Sequence, residues 1–449
     1  MDTLNELARR LAARDVSARE LVEQALDRIS NAGSEGAATF IEVAAESARK
    51  QANDIDRRRA AGDNLPAFAG IPLAIKDLFD VAGEITRAGS RILADRAPAK
   101  ADAPVVARLR AAGFIFIGRS NMTEFAYSGL GLNPHYGTPR NPFDRTTGRI
   151  PGGSTSGGAV AVADGMAAAA LGTDTGGSCR IPAAFTGIVG FKPTAQRVPR
   201  EGLVPLSPTL DSIGPLARSV QCCAILDSIL RDAPLCIPSA GAPRNIRLLV
   251  PSTLVMSEMD EITAQSFARA LEQLTKAGVT IVEQPLEALA RIPALNANGG
   301  IVAAETYAWH RAYIESHPDR YDPRVATRIL KGRDIGAQDL HRIHEERTAI
   351  IAAANDVTRD FDALLMPTVP IIAPPLSAFD KDADYNRLNA LVLRNPSLAN
   401  LLDRCSISLP IHRPNDAPVG LMLIGSHDGD EQLFSVALAI ERVLERYRQ

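Results

Sequence analysis

Short apolar runs alternate with helical patterns along most of this chain, and few folds accommodate that rhythm. Ile71–Ile75, Phe114–Ile117, Ile246–Val250 and Val279–Val282 read as strands, while Ala103–Ala112 and residues 261–276 carry helical spacing. The Ala-rich stretch 158–170 continues the alternation. Such a pattern predicts an α/β fold with a largely parallel β-sheet covered by helices. The chain begins with a helical part, residues 1–65: Leu4, Leu7 and Leu11 mark one helix, and Ser17-Ala-Arg-Glu20 is a capping box opening a second, whose apolar face is Leu21, Val22, Ala25 and Ile29. Residues 66–220 hold the densest motifs. The segment around Ala233–Arg244 reads as a surface connection to a C-terminal half, 245–449, that contributes substrate-pocket segments.

Composition narrows the classes. With 46% hydrophobic and 22% charged residues the chain can bury a large core. Its formal net charge is −3 and Lys/Arg form no cluster able to follow a phosphate backbone, so nucleic acid is not an expected partner. Met1-Asp-Thr-Leu-Asn-Glu lacks the basic and apolar regions of a signal peptide, and the apolar stretch from Ala159 to Leu171 is interrupted by Asp164 and Gly165, so the expected location is the cytoplasm, away from membranes. Five cysteines without a C-x-x-C pair read as reduced thiols, with Cys222 and Cys223 as small apolar residues of a helix after Ser219.

Two glycine-rich loops each deliver a serine: Pro151-Gly-Gly-Ser-Thr-Ser-Gly-Gly158 and Gly172-Thr-Asp-Thr-Gly-Gly-Ser178. Read alone, each also fits the Gly/Ser chemistry of a tight turn, the lesser of the two readings. A phosphate cradle is one alternative, but no G-x-x-x-x-G-K-[ST] occurs; an α/β-hydrolase is another, but G-x-S-x-G is absent around Ser154, Ser156 and Ser178. A serine nucleophile without a histidine needs another proton acceptor, and a lysine kept neutral by burial can serve. Lys76 ends the apolar run Gly70-Ile-Pro-Leu-Ala-Ile-Lys76, which would present its amine at the end of a buried strand.

Lys76, Ser154 and Ser178, together with Arg119–Ala126, Ile181-Pro-Ala-Ala, Gly190-Phe-Lys-Pro-Thr194, Asp211-Ser-Ile-Gly-Pro215 and Pro418-Val-Gly-Leu421, resemble the amidase signature family nearly end to end. The resemblance implies the amidase signature fold, a single large domain over 1–449 on a twisted mixed, mostly parallel β-sheet covered by helices, and a Ser–cis-Ser–Lys triad, with Ser178 as nucleophile, Ser154 as bridge after a cis peptide and Lys76 as base. Ser178 lies twenty-four positions after Ser154, the family's separation. By the same resemblance the amides of Thr175, Gly176, Gly177 and Ser178 form the oxyanion hole, and Ala126 and Ser154 contact substrate. Glu305–His310 and Asp322-Pro-Arg324 are expected at the pocket rim. The chemistry calls for no cofactor and no metal. Thr155 and Ser156 stand where Ser–Gly is often seen in the family, and Cys179 where an aliphatic residue is usual. Crowding of the site by Cys179, with sensitivity to thiol reagents, stands beside an inert buried thiol.

The implied activity is hydrolysis of a small-molecule carboxamide to a carboxylate plus ammonia or amine, by an enzyme able to form a homo-oligomer. The alternatives are the glutaminase subunit of a transfer-RNA amidotransferase and a non-catalytic binding protein on this scaffold. Other patterns carry less: His341 and His344 sit on a helix face without a third ligand, Asp380–Tyr385 reads as a loop lacking the EF-hand glycine, Ser47-Ala-Arg-Lys50 lies in a charged helix, and His135 belongs to a loop near the site.

Overall fold

A computed structural model describes residues 1–31 and 33–446. Eleven strands form one sheet: β1 Phe40–Val43, β2 Pro72–Lys76, β3 Ile115–Ser120, β4 Ala169–Asp174, β5 Val189–Lys192, β6 Ser212–Ala217, β7 Arg247–Pro251, β8 Thr280–Gln284, β9 Ala363–Pro367, β10 Ser406–Pro410 and β11 Gly420–Ile424. Their order is β1-β3-β2-β4-β6-β5-β10-β11-β9-β7-β8. Strands from both halves of the chain hydrogen-bond through β5 and β10, so the exposed segment after Leu230 links parts of one sheet and separates no independent unit.

The sheet is mixed, as the family resemblance implies, but not mostly parallel. Pairs β3–β2, β2–β4, β9–β7 and β7–β8 are parallel, whereas β1–β3, β4–β6, β6–β5, β5–β10, β10–β11 and β11–β9 are antiparallel. The parallel pairs lie where helical crossovers join strands. Within the antiparallel centre β5–β6 and β10–β11 are joined by loops without a helix, whereas β5 and β10 meet from opposite halves of the chain. The Ala-rich stretch is divided as well: Ser156–Ala163 is helical, and a turn at Asp164–Gly165 leads into β4.

The N-terminal helices Leu4–Ala13 and Ala18–Ser30 bury the expected faces. The capping box is complete, with Glu20 N–H donating to Ser17 Oγ at 3.1 Å and Ser17 N–H to Glu20 Oε2 at 2.7 Å. Cys222 and Cys223 are buried free thiols in the helix Val220–Leu230. Asp382–Arg394 is a helix, so Asp382–Tyr385 form its first turn rather than part of a loop. Tyr385 is buried there with the Arg324 guanidinium 4.6 Å from its ring centre, a tertiary contact that local turn chemistry does not report. No helix among the described residues is long and apolar enough to cross a membrane.

Candidate active site

Every residue of β2 is buried, and the strand lies between the parallel neighbours β3 and β4. Lys76 at its end is therefore wholly buried, and its Nζ lies 2.8 Å from both Ser154 Oγ and Thr173 Oγ1. Burial disfavours the ammonium form and pulls its pKa down to about 8, against the partial opposition of Cys179, Asp174 and Asp211.

Ser154 follows a cis peptide bond at Gly153–Ser154 and is fully buried. Gly153 belongs there for steric reasons: a Cβ would stand 2.6 Å from Gly131 N. The Ser154 carbonyl accepts from Thr123 N–H at 3.1 Å, and Gly153 N–H donates to Gly129 O at 2.8 Å, tying this loop to residues 123–131.

Ser178 lies in the turn between β4 and the helix Arg180–Thr186, on the wall of a cavity of about 800 Å³. Its carbonyl accepts from Thr155 N–H at 3.3 Å, which joins the two glycine-rich loops. Its hydroxyl makes no hydrogen bond among the described residues, so Lys76–Ser154 is formed here and Ser154–Ser178 is not. Gly177 has φ +128°, and a Cβ there would be 2.5 Å from Pro396 Cβ, so the bend before Ser178 requires glycine.

A buried ion pair shapes this turn. Asp174 accepts from Gly177 N–H at 2.9 Å, Cys179 N–H at 3.1 Å, Arg180 Nη2 at 2.8 Å and Asn400 Nδ2 at 3.0 Å. Burial alone would raise its pKa, but the Arg180 charge and these hydrogen bonds outweigh it and hold the carboxyl down at about 2. The Gly177 amide is thus donated to Asp174, while Thr175, Gly176 and Ser178 line the cavity. Thr175 Oγ1 in turn donates to Asp211 at 2.6 Å, whose carboxyl burial pushes up to about 6. Cys179 is wholly buried, its Sγ 3.5 Å from Gly214 O, and burial drives its thiol pKa up; the neutral, enclosed thiol fits the inert reading.

Residues 20–434 match the Amidase family. The chain belongs to that family. It is accordingly an amide-hydrolysing enzyme. This amidase is 34% identical over 400 residues to a 2-amino-5-chloromuconic acid deaminase of Comamonas testosteroni, covering 88% of this chain and 86% of the relative. It is 35% identical over 477 residues to a glutamyl-tRNA(Gln) amidotransferase subunit of Symbiobacterium thermophilum, covering 98% and 96%. A crystal structure of an amidase superposes with a TM-score of 0.89 at 32% identity, covering 98% of this chain and 99% of that one.

Elsewhere the amidase departs from the expected pocket. Ala126, at φ +59°, does line the cavity with Tyr127 and Ser128. The anticipated rim does not. Glu305 accepts from Ser207 Oγ at 2.5 Å and Thr209 N–H at 3.1 Å; His310 is buried against the Tyr321 hydroxyl at 2.9 Å; Asp322 N–H donates to Glu124 at 2.8 Å; Arg324 pairs with Asp382 at 2.8 Å. The wall comes instead from Ile292–Val302, Arg328, Lys331 and residues 386–401. His135 holds Glu124 at 2.9 Å rather than the cavity, and His341 is exposed beside Glu345. Sequence reasoning also missed Thr173, although its place in the same glycine-rich loop as Ser178 was a usable signal. Asn400 and the cavity cations had none, because they reach the site only through distant contacts.

Proposed function

We propose that this amidase cleaves a small carboxamide through an acyl-enzyme on Ser178, with Ser154 and Lys76 relaying the proton. The observation that carries the reading is the wholly buried Lys76 amine, 2.8 Å from Ser154 Oγ, with its pKa drawn down to about 8. A neutral amine accepts the Ser154 proton on its lone pair while one N–H donates to Thr173. Ser154 then takes the proton of Ser178, whose hydroxyl, free of other hydrogen bonds, turns towards Ser154 when substrate binds. Ser178 Oγ attacks the carbonyl carbon, and the amides of Thr175, Gly176 and Ser178 stabilise the oxyanion. The relay returns the proton to nitrogen, the C–N bond breaks, and ammonia or amine leaves. Water, deprotonated by the same relay, hydrolyses the ester to a carboxylate. These steps are complete without a metal or cofactor. The enzyme acts in the cytoplasm as one domain over 1–449 and is able to form a homo-oligomer.

Intact-mass analysis after a sulfonyl fluoride, followed by peptide mapping, tests the nucleophile. The expected adduct lies on Ser178, and an adduct confined to Ser154 reverses the two roles. A second reading, the glutaminase subunit of a transfer-RNA amidotransferase, draws on the 35% identity to such a subunit over 98% of this chain. Gel filtration combined with a glutaminase assay separates the two. Turnover by the isolated chain supports the amidase, and ammonia release only in the presence of a partner subunit supports the second reading.

A further inference from the structure

The charged side chains around the cavity are unequal in sign. Arg328, Lys331, Arg387 and Arg394 line it, against one carboxylate, Glu258. Glu258 is already answered by Arg394 at 3.5 Å, and Arg394 is itself held by the carbonyls of Val255 at 3.2 Å and Ser257 at 2.7 Å. Arg387 lies 3.5 Å from Asp384. Arg328 and Lys331 have no acidic partner among the described residues. They stand at the end of the helix Pro323–Leu330 and at the residue after it, three positions apart and so on adjoining turns. The Arg328 guanidinium is 4.6 Å from the centre of the Tyr127 ring, between Ala126 and Ser128 of the cavity wall, and the side chain is half-buried. A partly desolvated cation packed on an aromatic face without a counter-ion is paired best by an anion that arrives with the ligand. An ammonium group, by contrast, finds no unpaired carboxylate on this wall.

We propose that the substrate is an amide whose acyl arm ends in a carboxylate and carries no ammonium, that is, a half-amide of a dicarboxylic acid, with Arg328 and Lys331 receiving the carboxylate. The inference rests on the reading of Ser178 as the nucleophile and deepens it by naming the substrate class. It also separates this enzyme from a glutaminase, because glutamine differs from glutaramate by its α-ammonium group alone.

Three amides of nearly equal length test it: glutaramate, its neutral counterpart pentanamide, and glutamine. The expected kcat/KM for glutaramate exceeds each of the others by about 30-fold, the size of one charge-assisted contact. Arg328→Met should lower the glutaramate-to-pentanamide ratio by about 10-fold, chiefly through KM. Equal turnover of glutaramate and pentanamide overturns the anion preference, and faster turnover of glutamine overturns the exclusion of ammonium. Labelling of Ser178 by a sulfonyl fluoride gives a readout that needs no turnover. Glutarate should protect Ser178 in the wild type and lose that protection in Arg328→Met. Labelling unaffected by glutarate removes this proposal and leaves the nucleophile standing, whereas failure to label Ser178 removes the nucleophile and the substrate class together.

Discussion

The ends of β2 and β4 and the helical wall opposite them treat charge in contrasting ways. At the strand ends and the turn after β4, Lys76, Asp174 and Arg180 are fully buried, and each polar group has a partner at 2.7 to 3.1 Å. Across the cavity Lys331 and Arg387 are exposed and Arg328 half-buried, with weak pairings or none. The difference matches what the proposed mechanism asks of each region. A lysine becomes a base at ordinary pH only where water is excluded, so the relay needs a closed interior. A group that recognises a dissolved substrate must stay hydrated until the substrate replaces that water.

Removing the base should have the largest effect. Lys76→Ala is expected to lower kcat by about 10³-fold, in the range of general-base contributions, with an unchanged circular dichroism spectrum. The Lys76 pKa lies below its ordinary value, so the amine is protonated and inactive in acid; the wild-type rate should rise with pH through about 8 and then level off. At pH 6 only about 1% of the amine would be free. That limb should vanish in Lys76→Ala, and Lys76→Arg should not restore it because the guanidinium stays charged. Survival of the limb in Lys76→Ala would show that the proton goes to another group, and the contrast between dry and wet regions would lose its chemical meaning.

The buried ion pair comes next. Arg180→Met leaves the Asp174 carboxylate enclosed without its counter-charge, which should cost about 3–5 kcal/mol in denaturant unfolding. The Asp174 pKa is depressed in the fold, from an ordinary 3.8 to about 2, so its stabilising contribution is present above 3.8 and lost as pH falls towards 2. The gap between wild type and Arg180→Met should therefore be widest near neutrality and narrow in acid. A gap independent of pH would assign the loss to packing instead. The smallest effect belongs to the opposite wall: Lys331→Met should change unfolding free energy by no more than about 0.5 kcal/mol, since an exposed side chain there has little to lose. A larger loss would mean that the wall is built like the strand ends.

Much of this was legible in the chain because the signals are local. Leu4, Leu7 and Leu11 repeat at helical spacing, Ser17 and Glu20 cap a helix within four residues, and Ile71–Lys76 is an apolar run ending in its one charge. Each glycine-rich loop announces its serine through backbone shapes that other residues resist, as Gly153 and Gly177 show. What such patterns report is which face of an element turns inward, not which other element meets it there. The antiparallel centre formed by β5, β6, β10 and β11 pairs residues such as Lys192 and Ser406 across nearly half the protein's sequence, and nothing near either residue encodes that register. The same holds at the site. Local sequence marks Lys76, Ser154 and Ser178, but the donation of the Gly177 amide to Asp174, the second contact of Lys76 with Thr173, the displacement of Glu305–His310 from the rim and the seating of Arg328 on Tyr127 were decided only when distant segments packed together.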